Sequence, residues 1–393
     1  MGDKAKRRRS AAMDGVDVYT RRELTQCPRW SRAFATERKD HRYYALVEDT
    51  IQSEFDYHYF GIKDGSGNVC AVQPFFILDQ DLLVGMRPKF GALIDRVRRL
   101  FPRFMRLRTL MVGCVAGEGH LDAIEETART SAAQTLAPAI VGHARSFRAP
   151  LVVLKEFPAI YRASLDDFLH HGFTRVPSLP MTRVNIDYSS FEDYMNRALN
   201  SAARTKLRRK FRAATGVAPV EMSIVEDVTP VIDEIYPLYL SVYNRSKLHF
   251  EKLTKAYFRL LGRLMPDKVR FFIWRQDERI VAFAECMLHG ESFYAEYIGL
   301  DYAVALDLHL YHRMYRDMVS WAIANGYKEF RSSGLNYDPK LHLRHRLDPI
   351  DLYVRHTSPI LNHVLKVILP MLDPTKYDET LQKFPNYSEL RGI

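Results

Sequence analysis

The stretch VRFFIWRQDERIVAFAECMLHGESFYAEYIGLD, residues 269–301, decides the fold. It contains three apolar runs: Val269 to Arg275, Ile280 to Leu288 and Phe293 to Ile298. Short polar turns, QDER and HGES, separate the runs. Runs of this length, rich in β-branched and aromatic residues and bounded by polar turns, predict three consecutive paired strands.

The same order of elements occurs twice in the chain, over about 40–185 and over 220–356. Each half predicts a helix, a β-hairpin, a strand, a glycine-bearing loop, a long helix, and two closing strands. The first half predicts a helix over 38–54, strands Phe55–Lys63, Val69–Leu78 and Thr109–Val115, a helix Leu121–Ala144, a strand over 150–156, a helix over 163–171 and a closing strand Phe173–Tyr188. The second half adds helices over 230–248, 252–265 and 305–325, a strand Phe330–Gly334 and a closing strand Leu347–His356.

This repeat predicts an α/β (α+β) fold of two tandem domains, each a mixed, mostly antiparallel sheet flanked by helices. The predicted division is a basic tail over 1–37, domain 1 over 38–190 with an insertion at 87–108, a connector helix over 191–218, domain 2 over 219–357 and a C-terminal helix and tail over 358–393.

Composition narrows the class of protein. The chain has 393 residues, a formal net charge of +10 and four scattered cysteines without metal-site spacing. The charge favours an anionic partner, the cysteines indicate reduced thiols, and neither a zinc site nor a permanently bound cofactor is expected. The sequence shows no apolar run long enough to cross a bilayer, so we expect a cytoplasmic protein, with peripheral attachment to the inner face of the cell membrane left open.

Positive charge is concentrated in three segments. The tail 4–9 is basic, and 87–108 combines arginines with apolar residues at helical spacing, which is typical of a membrane-interface helix or of an ordinary surface helix. The stretch 195–220 has no acidic residue and predicts a basic amphipathic helix. Its residues Arg204 and Arg208 are candidates to bind a phosphorylated cofactor or a lipid surface, and nucleic acid ranks last because no RNA-binding motif is present.

A glycine loop follows the predicted strand Thr109–Val115. It contains Gly117, Gly119 and His120 and leads into a predicted helix. Backbone N–H groups and a helix dipole at such a loop form an anion site. Glycine loops at strand ends also occur without a ligand, and Glu118 would oppose a phosphate, so both interpretations stay open.

Two glutamates lie in the middle of apolar strands. Glu285 interrupts Phe283–Leu288 and Glu296 interrupts Phe293–Ile298. A carboxylate there is costly unless it is hydrogen-bonded or used, so both are candidate general bases. Strict alternation would place Tyr294, Glu296 and Ile298 on one face and Tyr297 on the other. His309, at the predicted start of the next helix, is a further candidate, although a surface histidine is an equal alternative.

The residues from Tyr297-Ile-Gly-Leu-Asp through Tyr311, Gly326, Ser333-Gly334, Tyr337 and Lys340 resemble the acyl-CoA N-acyltransferase (GNAT) fold. Two such folds in tandem, joined by a basic helix, are similar to the FemAB-like and BioF2-like acyltransferases. The resemblance implies acyl-CoA as co-substrate and an amine acceptor, with Tyr337 and Lys340 at the cleft. The usual Q/R-x-x-G-x-G/A cofactor loop is absent after Ile298, so which half binds the donor stays open.

The chain is also similar to the bacterial ceramide synthases, which acylate a long-chain base. The segment 358–369 supports this similarity because Ser358 and Pro359 begin a helix with one apolar stripe, which would lie on a membrane or dock on a domain. The implied mechanism is direct acyl transfer, with Glu285 or Glu296 as base and Tyr294 reprotonating the leaving thiolate. Two alternatives remain: aminoacyl transfer from tRNA to a cell-wall precursor, and non-catalytic binding of anionic lipid.

Overall fold

A computed structural model describes residues 15–51, 54–81, 95–96, 98–100, 106–123, 125–215, 219–246, 250–371 and 373–392. The chain forms two compact units. Unit 1 comprises the described parts of Met1–Thr36, Gln52–Val176 and Asp351–Asp373. Unit 2 comprises the described parts of Glu37–Ile51, Pro177–Ile350 and Pro374–Ile393.

Unit 1 contains a seven-stranded sheet in the order β1-β2-β3-β4-β5-β14-β6. The strands are β1 Val16–Tyr19, β2 Asp56–Lys63, β3 Val69–Asp81, β4 Arg106–Val112, β5 Leu151–Pro158, β6 Thr174–Pro177 and β14 Ile350–His356. Its helices are Arg21–Leu24, Glu126–Ser146, Asp166–His170 and Pro359–Ile368, with 3₁₀ turns at Trp30–Arg32, Ala159–Tyr161 and Leu369–Met371. The long helix Glu126–Ser146 buries its alanine-rich face, including Ala133 and Ala137, against the apolar side chains of the sheet.

Unit 2 contains a second seven-stranded sheet in the order β13-β7-β12-β11-β10-β9-β8. The strands are β7 Met181–Asn185, β8 Val220–Val225, β9 Val269–Gln276, β10 Arg279–His289, β11 Ser292–Leu300, β12 Glu329–Ser332 and β13 Arg346–Asp348. Its helices are His41–Thr50, Phe191–Ala198, Ser201–Thr215, Ile232–Tyr243, Lys255–Leu264, Leu310–Ala324 and Tyr337–His342, with 3₁₀ turns at Thr229–Val231, Pro374–Tyr377, Leu381–Lys383 and Tyr387–Leu390.

The two sheets follow one plan. In each, antiparallel strands lead to a long helix, which returns the chain to a strand parallel to the last one: β4 pairs with β5, and β11 pairs with β12. Two mostly antiparallel sheets flanked by helices confirm the predicted fold class.

The closing strands are exchanged. β14 lies between β5 and β6 in the sheet of unit 1, and β7 lies between β12 and β13 in the sheet of unit 2. The single closing strands predicted over Phe173–Tyr188 and Leu347–His356 are therefore wrong, because each is a pair of strands in different sheets. Pro180 and Pro349 lie at the two breaks, and a proline cannot donate to a strand ladder.

The compact units also differ from the predicted domain bounds at one helix and at the connector. The helix predicted over 38–54 is His41–Thr50 and belongs to unit 2. The connector is not one helix, since it breaks between Ala198 and Ser201, and both parts belong to unit 2.

Three further boundaries differ. Residues 106–108 of the predicted basic helix are strand, because Arg108 pairs with Asp79 across β3 and β4 and opposite charges stabilise such a pair. The helix predicted from Leu121 begins at Glu126, and the one predicted from residue 305 begins at Leu310. The predictions for the tail 4–9 and for most of 87–105 fall outside the described residues.

Among the described residues, no helix is both long enough and apolar enough to cross a bilayer. In the same part of the chain, no group of three or more His, Cys, Asp or Glu residues has the geometry to hold a metal ion.

Candidate functional site

The sheet of unit 2 opens along β11. Parallel pairing between β11 and β12 covers Ser292 to Ala295 only. β11 continues from Glu296 to Leu300, paired on its other side with β10. The backbone of Glu296–Leu300 is therefore not part of the ladder with β12, although the Leu300 carbonyl accepts from the Ser241 hydroxyl at 2.5 Å. Backbone groups that face away from β10 in this segment can bind a ligand.

A β-bulge lies where the opening begins. Glu285 of β10 faces Tyr297, whereas the next residue, Cys286, faces Ala295. Glu296 is the extra residue of β11. Bulges rotate the side chains that follow and occur often next to active sites.

The bulge corrects the predicted alternation. Cys286 and Ala295 pack in the apolar core of unit 2, so their neighbours point to the other face. Tyr294 is paired with Met287 on that other face, and the bulge brings Tyr297 there as well, opposite Glu285. The prediction that Tyr297 lies opposite to Tyr294 and Glu296 is wrong, because one inserted residue shifts the two-residue period of a strand.

Glu285 is fully buried on this face. The Tyr257 hydroxyl donates to its Oε1 at 3.3 Å, and Oε2 has no hydrogen-bond partner among the described residues. Burial raises the pKa of the Glu285 carboxyl to about 8, while Tyr257 and the cations Lys39 and Arg38 oppose that rise. A carboxyl that titrates near neutral pH can both hold and accept a proton under physiological conditions.

Glu296 has a different environment. Its carboxylate forms an ion pair with the Arg38 guanidinium, and both side chains are almost fully buried. Arg38 also lies over the Tyr294 ring, 4.0 Å from its centroid, and its Nη1 is 3.8 Å from the Met287 sulfur. Protonating Glu296 would leave a buried arginine without its counter-charge, which costs several kcal/mol. The geometry therefore favours Glu285 over Glu296 as the base.

Tyrosines connect this cluster. The Tyr43 and Tyr257 hydroxyls are 2.9 Å apart, and the Tyr297 hydroxyl donates to Glu251 at 2.8 Å. Burial raises the pKa of Tyr257 and of Tyr297, so both stay protonated and act as donors.

Sequence reasoning missed Arg38, Lys39, Tyr43, Tyr257 and Glu251. The first three come from a segment more than 200 residues away from Glu285 along the chain. No local pattern in the sequence marks them as site residues. The one available signal is the pair of adjacent cations Arg38 and Lys39, directly before the Asp40 N-cap of a helix.

A second cluster, which we name the basic cluster, consists of Lys206, Arg209, Lys210, His309 and His312. The Lys210 ammonium is 2.8 Å from His312 Nε2. Burial and the nearby cations Lys210, His309 and Lys206 lower the pKa of His312 to about 4. Burial, Lys206 and Arg209 likewise lower the pKa of Lys210. None of the three Lys and Arg side chains pairs with a carboxylate within the described ranges.

The basic cluster is at the start of the helix Leu310–Ala324, where His309 occupies the N-cap position in a left-handed conformation. Unpaired cations beside a helix N-terminus attract an anion, because the helix dipole adds to their field. Ser201, Ala202 and Thr205 line a shallow surface depression together with Lys206 and Arg209.

The predicted ligand-binding residues Arg204 and Arg208 point elsewhere. Arg204 donates to the carbonyl oxygens of Asn196 and Leu199 at 3.2 and 2.5 Å. Arg208 is ion-paired with Glu192. Both side chains join the helix Ser201–Thr215 to the preceding helix.

Tyr337 and Lys340 fix the loop after β12. The Tyr337 hydroxyl donates to the Pro180 carbonyl at 2.8 Å. The Lys340 ammonium donates to the carbonyls of Ser333 and Leu335 at 2.6 and 3.0 Å, and burial lowers its pKa to about 7.

The glycine loop belongs to unit 1, and side chains of unit 1 pack against it. Lys155 donates to the Gly117 carbonyl at 3.0 Å. A side chain at Gly119 would meet the Lys155 carbonyl oxygen at 2.8 Å, so this glycine allows close packing. His120 lies between Tyr161, 3.2 Å away, and Glu118, 3.3 Å away. The following helix starts with Glu125 and Glu126, whose charges would oppose a phosphate.

Comparison with known protein families supports the assignment of the second half. Residues 201–340 match the acetyltransferase (GNAT) domain model. This range contains Glu285, the bulge and the basic cluster. The second half of the chain is therefore similar to a GNAT domain, and the prediction of an acyltransferase is confirmed, whereas its donor and acceptor are not identified. No curated protein sequence matches the chain.

Several solved structures are similar over most of the chain. The C-terminal DUF2156 domain of an Agrobacterium fabrum protein assigned as a lysylphosphatidylglycerol synthetase is 12% identical, with 85% of this chain and 94% of that chain covered and a TM-score of 0.49. L-PGS from Bacillus licheniformis is 12% identical, with 83% and 95% covered and a TM-score of 0.49. FemX is 10% identical, with 79% and 90% covered and a TM-score of 0.48. The GNAT match is limited to residues 201–340, and no argument is based on these distant similarities.

Proposed function

We propose that the protein transfers an acyl group from coenzyme A to the amine of a lipid, with Glu285 as the general base. The observation that carries this proposal is the buried Glu285 carboxyl, whose Oε2 has no partner among the described residues and whose pKa is raised to about 8. It lies directly behind the bulge at which β11 leaves β12. A thioester bound along Glu296–Leu300 would have its carbonyl close to this carboxyl.

The reaction needs no covalent intermediate. Glu285 takes a proton from the acceptor ammonium, directly or through a hydrogen-bonded water, and the free amine attacks the thioester carbonyl. The N–C bond forms, the C–S bond breaks and coenzyme A leaves as a thiolate, which the Tyr294 hydroxyl protonates. The nitrogen of the new amide gives its second proton to the Tyr294 oxygen, and Glu285 releases its proton to water, so both side chains return to their starting states. Backbone N–H groups of Glu296–Leu300 that face away from β10 would stabilise the oxyanion, and alignment of both reactants supplies much of the remaining rate.

The basic cluster supports a phosphorylated donor. Lys206, Arg209 and Lys210 are not neutralised by carboxylates within the described part of unit 2. The phosphates of coenzyme A would offset this charge. The same charge would also suit tRNA, so aminoacyl transfer is the second candidate.

We further propose that the acceptor is a long-chain base and the product an N-acyl lipid such as ceramide, formed at the inner face of the cell membrane. The apolar C-terminal helix supports a lipid acceptor, since a small soluble amine requires no such surface.

The test is an assay of the purified protein with palmitoyl-CoA and sphinganine, read by mass spectrometry of the amide and by release of free thiol. Amide formation that depends on both substrates supports the proposal. Activity with aminoacyl-tRNA and none with acyl-CoA would replace it by the second candidate. Absence of turnover with any donor would leave a lipid-binding protein.

A further inference from the structure

The helix Pro359–Ile368 of unit 1 is the most exposed apolar element in the described part of the chain. Its outward stripe consists of Ile360, Leu361, Val364, Val367 and Ile368, which are 79, 50, 46, 62 and 40% exposed. These positions recur at helical spacing, so they form one continuous strip along the helix. Exposing several large apolar side chains on one face is costly in water unless the face has a partner.

The helix is held to unit 1 by a polar contact rather than by its apolar stripe. Asn362 is its one buried side chain. The Asn362 amide donates to the Gly172 carbonyl at 2.8 Å and accepts from the His356 N–H at 2.9 Å. Asn362 therefore fixes the orientation of the helix and directs the apolar stripe away from the domain.

Three cations lie on or near the helix: Lys366, Arg145 and Arg355. His363 and Lys366 are exposed on it. Arg145 donates to the Thr357 carbonyl, just before the helix, at 2.8 Å. Arg355 lies beside Gly172 and Asn362, and its pKa is lowered by burial and by Arg145. Arg145 and Arg355 have no carboxylate partner within the described ranges.

From this combination we propose that the helix Pro359–Ile368 docks unit 1 on an anionic bilayer surface, with the apolar stripe in the interface and Lys366 at the headgroups. Anionic lipid complements both the apolar stripe and the exposed Lys366 of the same helix, whereas a second copy of this chain, with its net charge of +10, would bring like charge to Lys366. Docking would bring the enzyme to a long-chain acceptor, which resides in the bilayer. Only this purpose rests on the proposed function, because the binding itself is argued from the helix alone.

The test is co-sedimentation of the full chain with vesicles of phosphatidylcholine containing phosphatidylglycerol, compared with pure phosphatidylcholine. We expect binding to the anionic vesicles, weaker binding to the neutral ones and partial loss with added salt. The double variant Leu361→Gln/Val364→Gln should bind at least about tenfold more weakly, because two apolar side chains no longer enter the interface. Lys366→Gln should weaken binding by about fivefold or less.

Leu264→Gln is the matched control. Leu264 is 45% exposed, close to the values for Leu361 and Val364, but it belongs to unit 2. It should bind like the wild type. Because all three leucine and valine side chains are already half in solvent, the variants should fold, which thermal unfolding would verify.

Three results would overturn the docking proposal: no binding of the wild type to anionic vesicles, unchanged binding of the double variant, or a wild-type dimer that the double variant converts to a monomer. The last would assign the stripe to a second copy of the chain. Failure of the proposed function can be distinguished from failure of the docking proposal. A protein that binds vesicles but turns over no thioester contradicts only the proposed function. A protein that forms amide in detergent but ignores vesicles fails only in docking.

Discussion

The two sheets share one strand plan and differ where the last antiparallel strand meets its parallel neighbour. In unit 1, β4 is paired with β5 up to Val112, its last residue. In unit 2, β11 continues beyond Ala295 without β12 and carries a bulge. The long helix that follows starts with acidic residues in unit 1 and beside the basic cluster in unit 2. With one strand plan, the two central strands therefore stay paired to the end of β4 in unit 1, whereas β11 and β12 separate after Ala295 in unit 2.

A pair of buried carboxylates shows the same contrast. Asp122 of unit 1 accepts from the Phe34 and Val72 N–H groups at 2.9 and 2.8 Å and from Arg29 at 2.6 Å. Glu285 of unit 2 accepts one long hydrogen bond. Burial raises the pKa of both, yet only Glu285 has an oxygen without a partner among the described residues. A satisfied carboxylate stabilises a fold, whereas a buried carboxylate with an unsatisfied oxygen is a candidate for chemistry.

The largest expected effect is on turnover. Glu285→Gln keeps the shape and removes the base, so kcat for amide formation should fall by about 10²- to 10⁴-fold. Steady-state kinetics with saturating donor and acceptor would measure it. Asp122→Asn is the matched control, and its kcat per folded molecule should equal that of the wild type.

An equal loss of turnover in Glu285→Gln and Asp122→Asn would contradict the difference in role between the two carboxylates. It would mean that each is needed only for folding. Wild-type turnover in both Glu285→Gln and Glu296→Gln would exclude both glutamates as the base.

The second effect is on stability. Asp122→Asn replaces one of the two oxygens that accept from the Phe34 and Val72 N–H groups by an amide nitrogen. One buried N–H group then loses its acceptor, so the free energy of unfolding should fall by about 1–3 kcal/mol. Urea unfolding at neutral pH would measure it. A loss below about 0.5 kcal/mol, the range of an ordinary surface substitution, would contradict a structural role for Asp122.

The sequence was sufficient to predict the local elements that form this contrast. Apolar runs with polar turns between them predicted β9, β10 and β11 within one or two residues. Glu285 and Glu296 were found because a charged residue inside such a run is costly, and the structure does place them on adjacent paired strands.

Long-range features could not be predicted. The exchange of β7 and β14 depends on which sheet offers an open edge, and Pro180 and Pro349 mark only where a strand ends. The bulge at Glu296 results from the register between β10 and β11, which the sequence of β11 alone does not contain. Arg38 forms an ion pair with Glu296, which lies 258 residues further along the chain (296 minus 38). This ion pair makes Glu296 the counter-ion of Arg38 and leaves Glu285 as the candidate base.

The pH dependence of kcat in wild type and Glu285→Gln tests the central claim most directly. The raised pKa of Glu285, about 8, means that the ionised base is depleted below that pH, so the wild-type rate should rise about tenfold per pH unit up to a break near 8 and then level off. The residual rate of Glu285→Gln should lack that break. The same break in the variant would assign it to the acceptor amine, and a wild-type rate that is flat from about pH 6 to 9 would contradict Glu285 as the base.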